Sequence, residues 1–153
     1  MADGYGYERY LNNRGRVFRY ALRDGKNLVL PCCVQLCLDA AGRLVYRRQI
    51  CNSLSWGETA TLREALADVF ASRAHSVILL IHTGDREPMP DSYDISHAAD
   101  YAAALRAADC GLLDVIFVSG GTVNSMNRLG LVPGEEGNLV ARVVREDYLR
   151  ETD

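Results

Sequence analysis

The sequence contains no apolar stretch that approaches the roughly 20 residues a helix needs to cross a bilayer, and it does not begin with a basic segment followed by an apolar one. These absences predict a cytoplasmic protein with no membrane association. An excess of basic residues is also missing, because the formal net charge is -3 at pH 7. We therefore expect no general electrostatic attraction to nucleic acid.

The cysteines show no sign of a disulfide framework. The chain has five cysteines, an odd number, and most lie in apolar runs where a thiol behaves as a small hydrophobe. Cys33 and Cys37 do not have the spacing of a zinc knuckle, and no second pair completes four ligands. The pattern predicts buried thiols in a reducing compartment, without a disulfide framework.

Hydrophobic residues make up 48% of the 153 residues, which is enough for one domain with its own core. We expect this domain at residues 28–134. Residues 1–27 predict a partly ordered N-terminal extension, and residues 135–153 predict a charged C-terminal tail.

Arginine and tyrosine are interleaved in the N-terminal extension. The residues concerned are Tyr5, Tyr7, Arg9, Tyr10, Arg14, Arg16, Arg19, Tyr20 and Arg23. Such interleaving can bind single-stranded nucleic acid by stacking and charge, but it is commoner in an arm that packs on its own domain or on a second subunit. Without global basicity, nucleic acid is the lesser alternative here.

Hydrophobic periodicity predicts an α/β order of hairpin, helix, strand, helix, strand, strand. The continuous apolar run at 77–81 is typical of a strand that is covered on both faces. The expected strands are 32–38, 43–51, 77–81, 113–118 and one that begins at Val123, and the expected helices are 61–74 and 95–105.

Signals at the helix ends accompany this pattern. Thr61 and Glu64 have the spacing of a capping box, which predicts the start of the first of these helices. Asp91 or Ser92 is expected to cap the second, and Gly111 is expected just past its end.

Several local motifs then resemble one family. Leu36-Cys37-Leu38-Asp39 resembles the first strand and turn aspartate of the JAB/MPN domain of the RadC family, and Leu62-Arg63-Glu64 resembles the Pro-Arg-Glu that opens its first helix. Pro88-Met89-Pro90 resembles the prolines of its ligand loop. Further matching positions, without a gap, are Asp94-Ile95, Leu112-Leu113-Asp114, Ser125 and Gly130. The resemblance runs from about 34 to 131 and implies an α/β sandwich of the cytidine-deaminase-like kind, with a mixed sheet flanked by helices.

The resemblance also implies a zinc motif, most of which this chain lacks. In the family, two histidines in His-x-His and the aspartate of a later Ser-x-x-Asp hold zinc, and an upstream glutamate serves as base. The gap-free register places Ile81 and Thr83 in the histidine positions and Asp91 in the serine position, and only Asp94 keeps its residue type. A one-residue deletion would instead place His82 in the first position and Gly84 in the second.

The upstream glutamate position falls near Pro31, where no glutamate is found. With one ligand and no base, the zinc site is not expected to assemble. The function implied is therefore a catalytically degenerate JAB/MPN module that binds a protein or peptide beside the former metal loop.

Two alternatives remain at this point. His82, Asp91 and Asp94 could form the site of an unorthodox hydrolase, with His82, Asp94 and His97 as the ligands of any metal. The competing interpretation is that Asp91 and Asp94 stabilise a helix N-terminus, that His97 is exposed, and that His82 is structural. The second alternative is a DNA-associated accessory protein of RadC type.

Overall fold

The computed structural model of the protein describes residues 10–54 and 56–131 together with Tyr148. Its helices are α1 (Arg14–Asp24), α2 (Thr59–Ser72) and α3 (Ser92–Ala107), and a short 3-10 turn, Gly25–Asn27, follows α1. The strands are β1 (Cys32–Leu38), β2 (Leu44–Cys51), β3 (Ser76–His82), β4 (Gly111–Ser119) and β5 (Thr122–Ser125). From β1 onward, this is the order that the periodicity predicts.

The five strands form one mixed sheet in the order β2-β1-β3-β4-β5. β3 and β4 run parallel, with α3 as their crossover, and the other neighbouring pairs are antiparallel. The predicted α/β fold with a mixed sheet and flanking helices is confirmed.

Helices cover both faces of this sheet, and the central strand β3 shows how the two cores divide. Val77, Leu79 and Ile81 face the core that includes residues of α2 and α3. Ile78 and Leu80 face the opposite core, to which α1 contributes. This arrangement explains why β3 is a continuous apolar run: each side of the strand is buried.

Helix α1 was not expected from the sequence. Its N-terminus is capped by Asn13, whose side chain accepts a hydrogen bond from the Arg16 N–H at 2.9 Å. Val17, Tyr20 and Ala21 are buried against the sheet. The arginines near them in the sequence made this apolar helix face hard to recognise. Because the Tyr20 ring lies in the core, it is not free to stack on a base. Of the other tyrosines of the extension, Tyr10 is 46% exposed, and Tyr5 and Tyr7 lie outside the described residues.

Two of the predicted helix signals are wrong. α2 begins at Thr59, after Glu58, so Thr61 lies inside the helix and does not cap it. α3 ends at Ala107, and Gly111 begins the next strand. Between them, Asp109 adopts the left-handed conformation with a φ of 56°. Glycine is the usual residue in this conformation, so the helix end was expected next to Gly111, two residues after Asp109.

The burial of the cysteines agrees with the prediction. All five are free, and only Cys51 is partly exposed. None of the helices within residues 10–54 and 56–131 is long and apolar enough to cross a membrane.

Most of the predicted C-terminal tail lies outside the described residues, but Tyr148 within it is fully buried. Its hydroxyl donates a hydrogen bond of 2.6 Å to Asp114, which also accepts hydrogen bonds from the Ser125 hydroxyl and the Asn127 N–H. Burial raises the pKa of Asp114 to about 6, although these hydrogen bonds oppose the increase. A residue of the predicted tail thus helps to satisfy a buried carboxyl group of β4.

We expect Tyr148→Phe to lower the free energy of unfolding by about 1–2 kcal/mol, because it removes one donor to a buried acceptor at nearly constant volume. Urea unfolding measures this change. Tyr46→Phe is the matched control, since Tyr46 is 42% exposed. Equal effects of the two substitutions would contradict the role given to Tyr148.

Candidate functional site

The loop between β3 and α3 is held by its neighbours in the sheet. The Thr83 N–H donates to the Val118 carbonyl at 3.0 Å, and the Thr83 hydroxyl donates to the Arg86 carbonyl at 2.6 Å. Further along the loop, the Ser119 hydroxyl donates to the Gly84 carbonyl at 3.0 Å. Contacts with β4 and hydrogen bonds of Thr83 within the loop therefore set the course of the loop.

Asp91 ends the loop as the cap of α3, as predicted. Its side chain accepts a hydrogen bond from the Asp94 N–H at 2.9 Å, and the Asp94 side chain accepts one from the Asp91 N–H at 3.0 Å. This reciprocal capping box fixes both carboxylates in place. The hydrogen bond from the Asp94 backbone is the main reason why the pKa of Asp91 is lowered.

Asp94 lies at the centre of the site and is only 2% exposed. Besides the capping hydrogen bond, its carboxylate accepts one from Arg86 Nη2 at 2.8 Å and one from Trp56 Nε1 at 3.2 Å. Arg86 also lies 3.4 Å from Asp91. The guanidinium thus supplies the positive charge that a buried carboxylate requires.

Ile81 and Thr83 occupy the positions that the gap-free register gives to the two zinc-binding histidines. Ile81 faces the core that α3 helps to form, on the side of the sheet where Asp94 lies. Thr83 is buried, and its hydroxyl is used within the loop. The residues present do not fit a zinc ion, because neither side chain is a good ligand and Asp94 already pairs with Arg86.

His82 points to the opposite face of the sheet, as strand alternation requires. Its Nε2 atom lies 3.7 Å from Oδ2 of the buried Asp24, and its ring contacts Gly25, where an added Cβ would come within 2.9 Å. Asp24 also binds Arg47 through two hydrogen bonds of 2.8 and 3.0 Å. Burial opposes ionisation, yet the nearby imidazole of His82 and the hydrogen bonds from Arg47 lower the pKa of Asp24.

The structure therefore brings Asp91, Asp94 and His97 together but separates them from His82. The proposed hydrolase group of His82, Asp91 and Asp94 is split between the two faces of the sheet, and so is the metal set of His82, Asp94 and His97. In the part of the chain that the structure describes, no three His, Cys, Asp or Glu side chains are arranged to hold a metal ion.

An open cleft of about 390 Å³ lies beside Asp94. His97, which was expected to be exposed, packs its ring edge-on against Trp56 with a centroid distance of 5.4 Å. The cleft is lined by Leu54, Glu58, Arg86, Asp91, Tyr93, Asp94 and His97. It combines three carboxylates with one guanidinium and two aromatic side chains.

A family model for the RadC-like JAB domain matches residues 11–131. The chain belongs to the RadC-like JAB domain family. No curated protein matches it. The match includes α1 and all five strands, in agreement with the resemblance seen in the sequence, which began at about residue 34.

Sequence reasoning missed Trp56 and Arg86 in this RadC-like JAB domain. Arg86 stands in the loop between β3 and α3, and a buried aspartate needs a cation nearby, but the sequence does not show that Asp94 is buried. Trp56 lies 38 residues before its partner Asp94, so no local pattern links the two.

The double hydrogen bond to Arg47 should make Asp24→Asn destabilising by about 2 kcal/mol at neutral pH. Because the folded-state pKa of Asp24 is lowered, this stability is present above the unfolded-state value of about 3.8 and is lost as the pH falls through the folded-state value. Urea unfolding from pH 7 to pH 3 should show the difference from wild type shrinking in acid.

Asp39→Asn is the matched control for this measurement, because Asp39 pairs with Arg43 at the surface. It should cost less than about 1 kcal/mol. A constant difference between Asp24→Asn and wild type across the pH range would contradict the role of the Asp24 charge.

Arg86→Ala should lower the free energy of unfolding by about 1–3 kcal/mol, because it leaves the buried Asp94 without its cation. In a double-mutant cycle with Asp94→Asn, the coupling should exceed about 1 kcal/mol. Arg63→Ala is the control, since Arg63 is exposed on α2. Additive effects of the two substitutions would show that the pair contributes no net stability.

Proposed function

We propose that this RadC-like JAB domain is a non-catalytic binding module that holds no zinc. The observation that carries the proposal is the ion pair between Arg86 and Asp94. It places a guanidinium on the one carboxylate that the family's metal motif retains here. A positive side chain next to a ligand repels a divalent cation and occupies the carboxylate lone pairs that the cation would need.

The rest of the motif supports the same conclusion. A zinc ion that binds without strain takes at least three protein ligands in a catalytic site. Ile81 and Thr83 provide apolar and hydroxyl groups where imidazoles would be required, so binding would lose most of its free energy. Without zinc there is no activated water, and the hydrolytic chemistry of the family has no source in this loop.

The cleft beside Asp94 offers a binding surface of defined chemistry. Glu58, Asp91 and Asp94 contribute three negative charges against the single positive charge of Arg86. Tyr93 is 74% exposed at its rim. An acidic cleft with an aromatic rim favours a cationic side chain, which gains from charge and from contact with the ring face.

Exposed apolar side chains surround the same end of the sheet. Val29 is 85% exposed and Leu30 is 44% exposed, and Leu30 adjoins Gly84 of the loop. Met89 in the loop is 40% exposed. Such side chains are typical of protein contacts. We therefore propose that the partner is a protein segment that places a lysine or arginine in the cleft and apolar residues beside it.

Metal analysis of the purified protein tests the absence of zinc. We expect less than stoichiometric zinc and no rise in melting temperature when zinc is added. The triple variant Ile81→His, Thr83→His, Arg86→Ala should gain a zinc-dependent rise, because it supplies two imidazoles beside a freed Asp94.

The matched control for this variant is His82→Ala, which should leave zinc content unchanged. Stoichiometric zinc in the wild-type protein that is lost on His82→Ala or Asp94→Asn would contradict the proposal. A zinc-dependent rise in a variant with Gly84→His in place of Thr83→His would contradict the gap-free register.

Peptide binding can be followed through Trp56, the one tryptophan of the chain. Its indole N–H donates to Asp94 and gives a single NMR signal at the cleft. A capped Gly-Gly-Lys-Gly-Gly peptide should shift this signal, whereas the same peptide with glutamine in place of lysine should not. Glu58→Gln should weaken the lysine response several-fold.

Glu64→Gln is the control for Glu58→Gln, because Glu64 of α2 lies outside the cleft and pairs with Arg48 of β2. It should leave the lysine response unchanged. If the lysine and glutamine peptides shift the indole signal equally, or neither does, the proposed preference for a cationic side chain is wrong.

A further inference from the structure

Cys33 on β1 and Cys51 on β2 are direct partners in the antiparallel register, next to a bulge that follows Cys33. Residues opposite each other in such a pair have Cα atoms about 4.5–5.5 Å apart. A disulfide requires a Cα separation of about 4.4–6.8 Å. Their pairing therefore predicts a backbone separation that a disulfide can bridge.

The two sulfur atoms also converge. Cys33 Sγ lies 3.3 Å and Cys51 Sγ lies 3.2 Å from the same atom, the carbonyl oxygen of Ser53. Both thiols are free, and they differ in access: Cys33 is fully buried, whereas Cys51 is partly exposed. Only Cys51 can meet a reagent from solution, and Cys33 lies behind it.

The two thiols also differ in pKa, and the more exposed one is the more acidic. The hydrogen bond with Cys33 is the main cause that lowers the pKa of Cys51 to about 6, and burial opposes it. The same hydrogen bond, together with burial, raises the pKa of Cys33. A partly exposed thiol of lowered pKa beside a buried one is the arrangement of an attacking and a resolving cysteine.

We propose that Cys33 and Cys51 form a reversible disulfide by exchange with a low-molecular-weight disulfide such as oxidised glutathione. The Cys51 thiolate attacks one sulfur of the reagent, which breaks its S–S bond and releases one reduced thiol. Cys33 Sγ then attacks Cys51 Sγ and breaks its bond to glutathione, and the proton of Cys33 passes to the departing glutathione thiolate, which leaves as the second thiol. The two protein thiols lose two electrons in total, and the reagent gains them.

The bond would lie close to the cleft. Cys51 is followed by Ser53 and Leu54, and Leu54 lines the cleft just before Trp56. Closing the bond ties this segment to β1, so the Trp56 indole signal should shift on oxidation. This consequence does not depend on what the cleft binds.

Treatment of the full chain with oxidised glutathione tests the proposal. The product should be lighter than the reduced protein by two hydrogen atoms, and non-reducing peptide mapping should join Cys33 to Cys51. Dithiothreitol should reverse both changes. Because thiolate is the reactive form, the rate should fall about tenfold between pH 7 and pH 5, as the pKa of about 6 requires.

Variants distinguish the attacking cysteine, Cys51, from the resolving cysteine, Cys33. Cys51→Ser should abolish the reaction, and Cys33→Ala should retain one glutathione on Cys51, because the resolving thiol is gone. Cys32→Ser is the matched control: Cys32 adjoins Cys33 on β1 but faces the other side of the sheet, opposite His82. It should form the disulfide as the wild type does.

Three results would overturn the proposal: a wild-type protein that is not modified, one that retains glutathione on Cys51, or one that joins Cys51 to Cys32. All three are read from the wild-type chain. They remain decisive even if Cys33→Ala, which alters the core, does not fold.

Discussion

The ion pair between Arg86 and Asp94 joins the loop after β3 to the first turn of α3, and the site is built around it. Asp94 completes the capping box that Asp91 begins, pairs with the loop arginine and accepts a hydrogen bond from the indole N–H of Trp56. A carboxylate this deeply buried is stable only when donors surround it. Three separate segments therefore meet at one side chain, and the cleft takes its shape and charge from that meeting.

Much of the fold could be predicted from local patterns. The run at β3 is continuous because both faces are covered, and Asp91 was recognisable as a cap because acidic residues favour a helix N-terminus. α1 was missed because its buried Val17 and Tyr20 alternate with arginines whose charges resemble a solvated arm. Its helical character depends on the sheet beneath it, which composition does not reveal.

The site was less predictable because it depends on tertiary contacts. The absence of both histidines was plain in the sequence, and strand alternation carried more information than was used: if Ile81 faces α3, then His82 must face away. The partnership of Trp56 with Asp94 spans 38 residues and no periodicity reports it. The choice of Arg86 as counterion likewise follows from where the loop folds.

The reciprocal capping of Asp91 and Asp94 has a consequence for how a partial match to a metal motif is interpreted. An aspartate in a ligand position invites the inference that a metal binds there. Here the same carboxylate completes the capping box of a 16-residue helix, a structural role that does not depend on metal binding. An aspartate can be required for folding alone, so a match to a metal motif should be judged by the ligand positions that have no structural role.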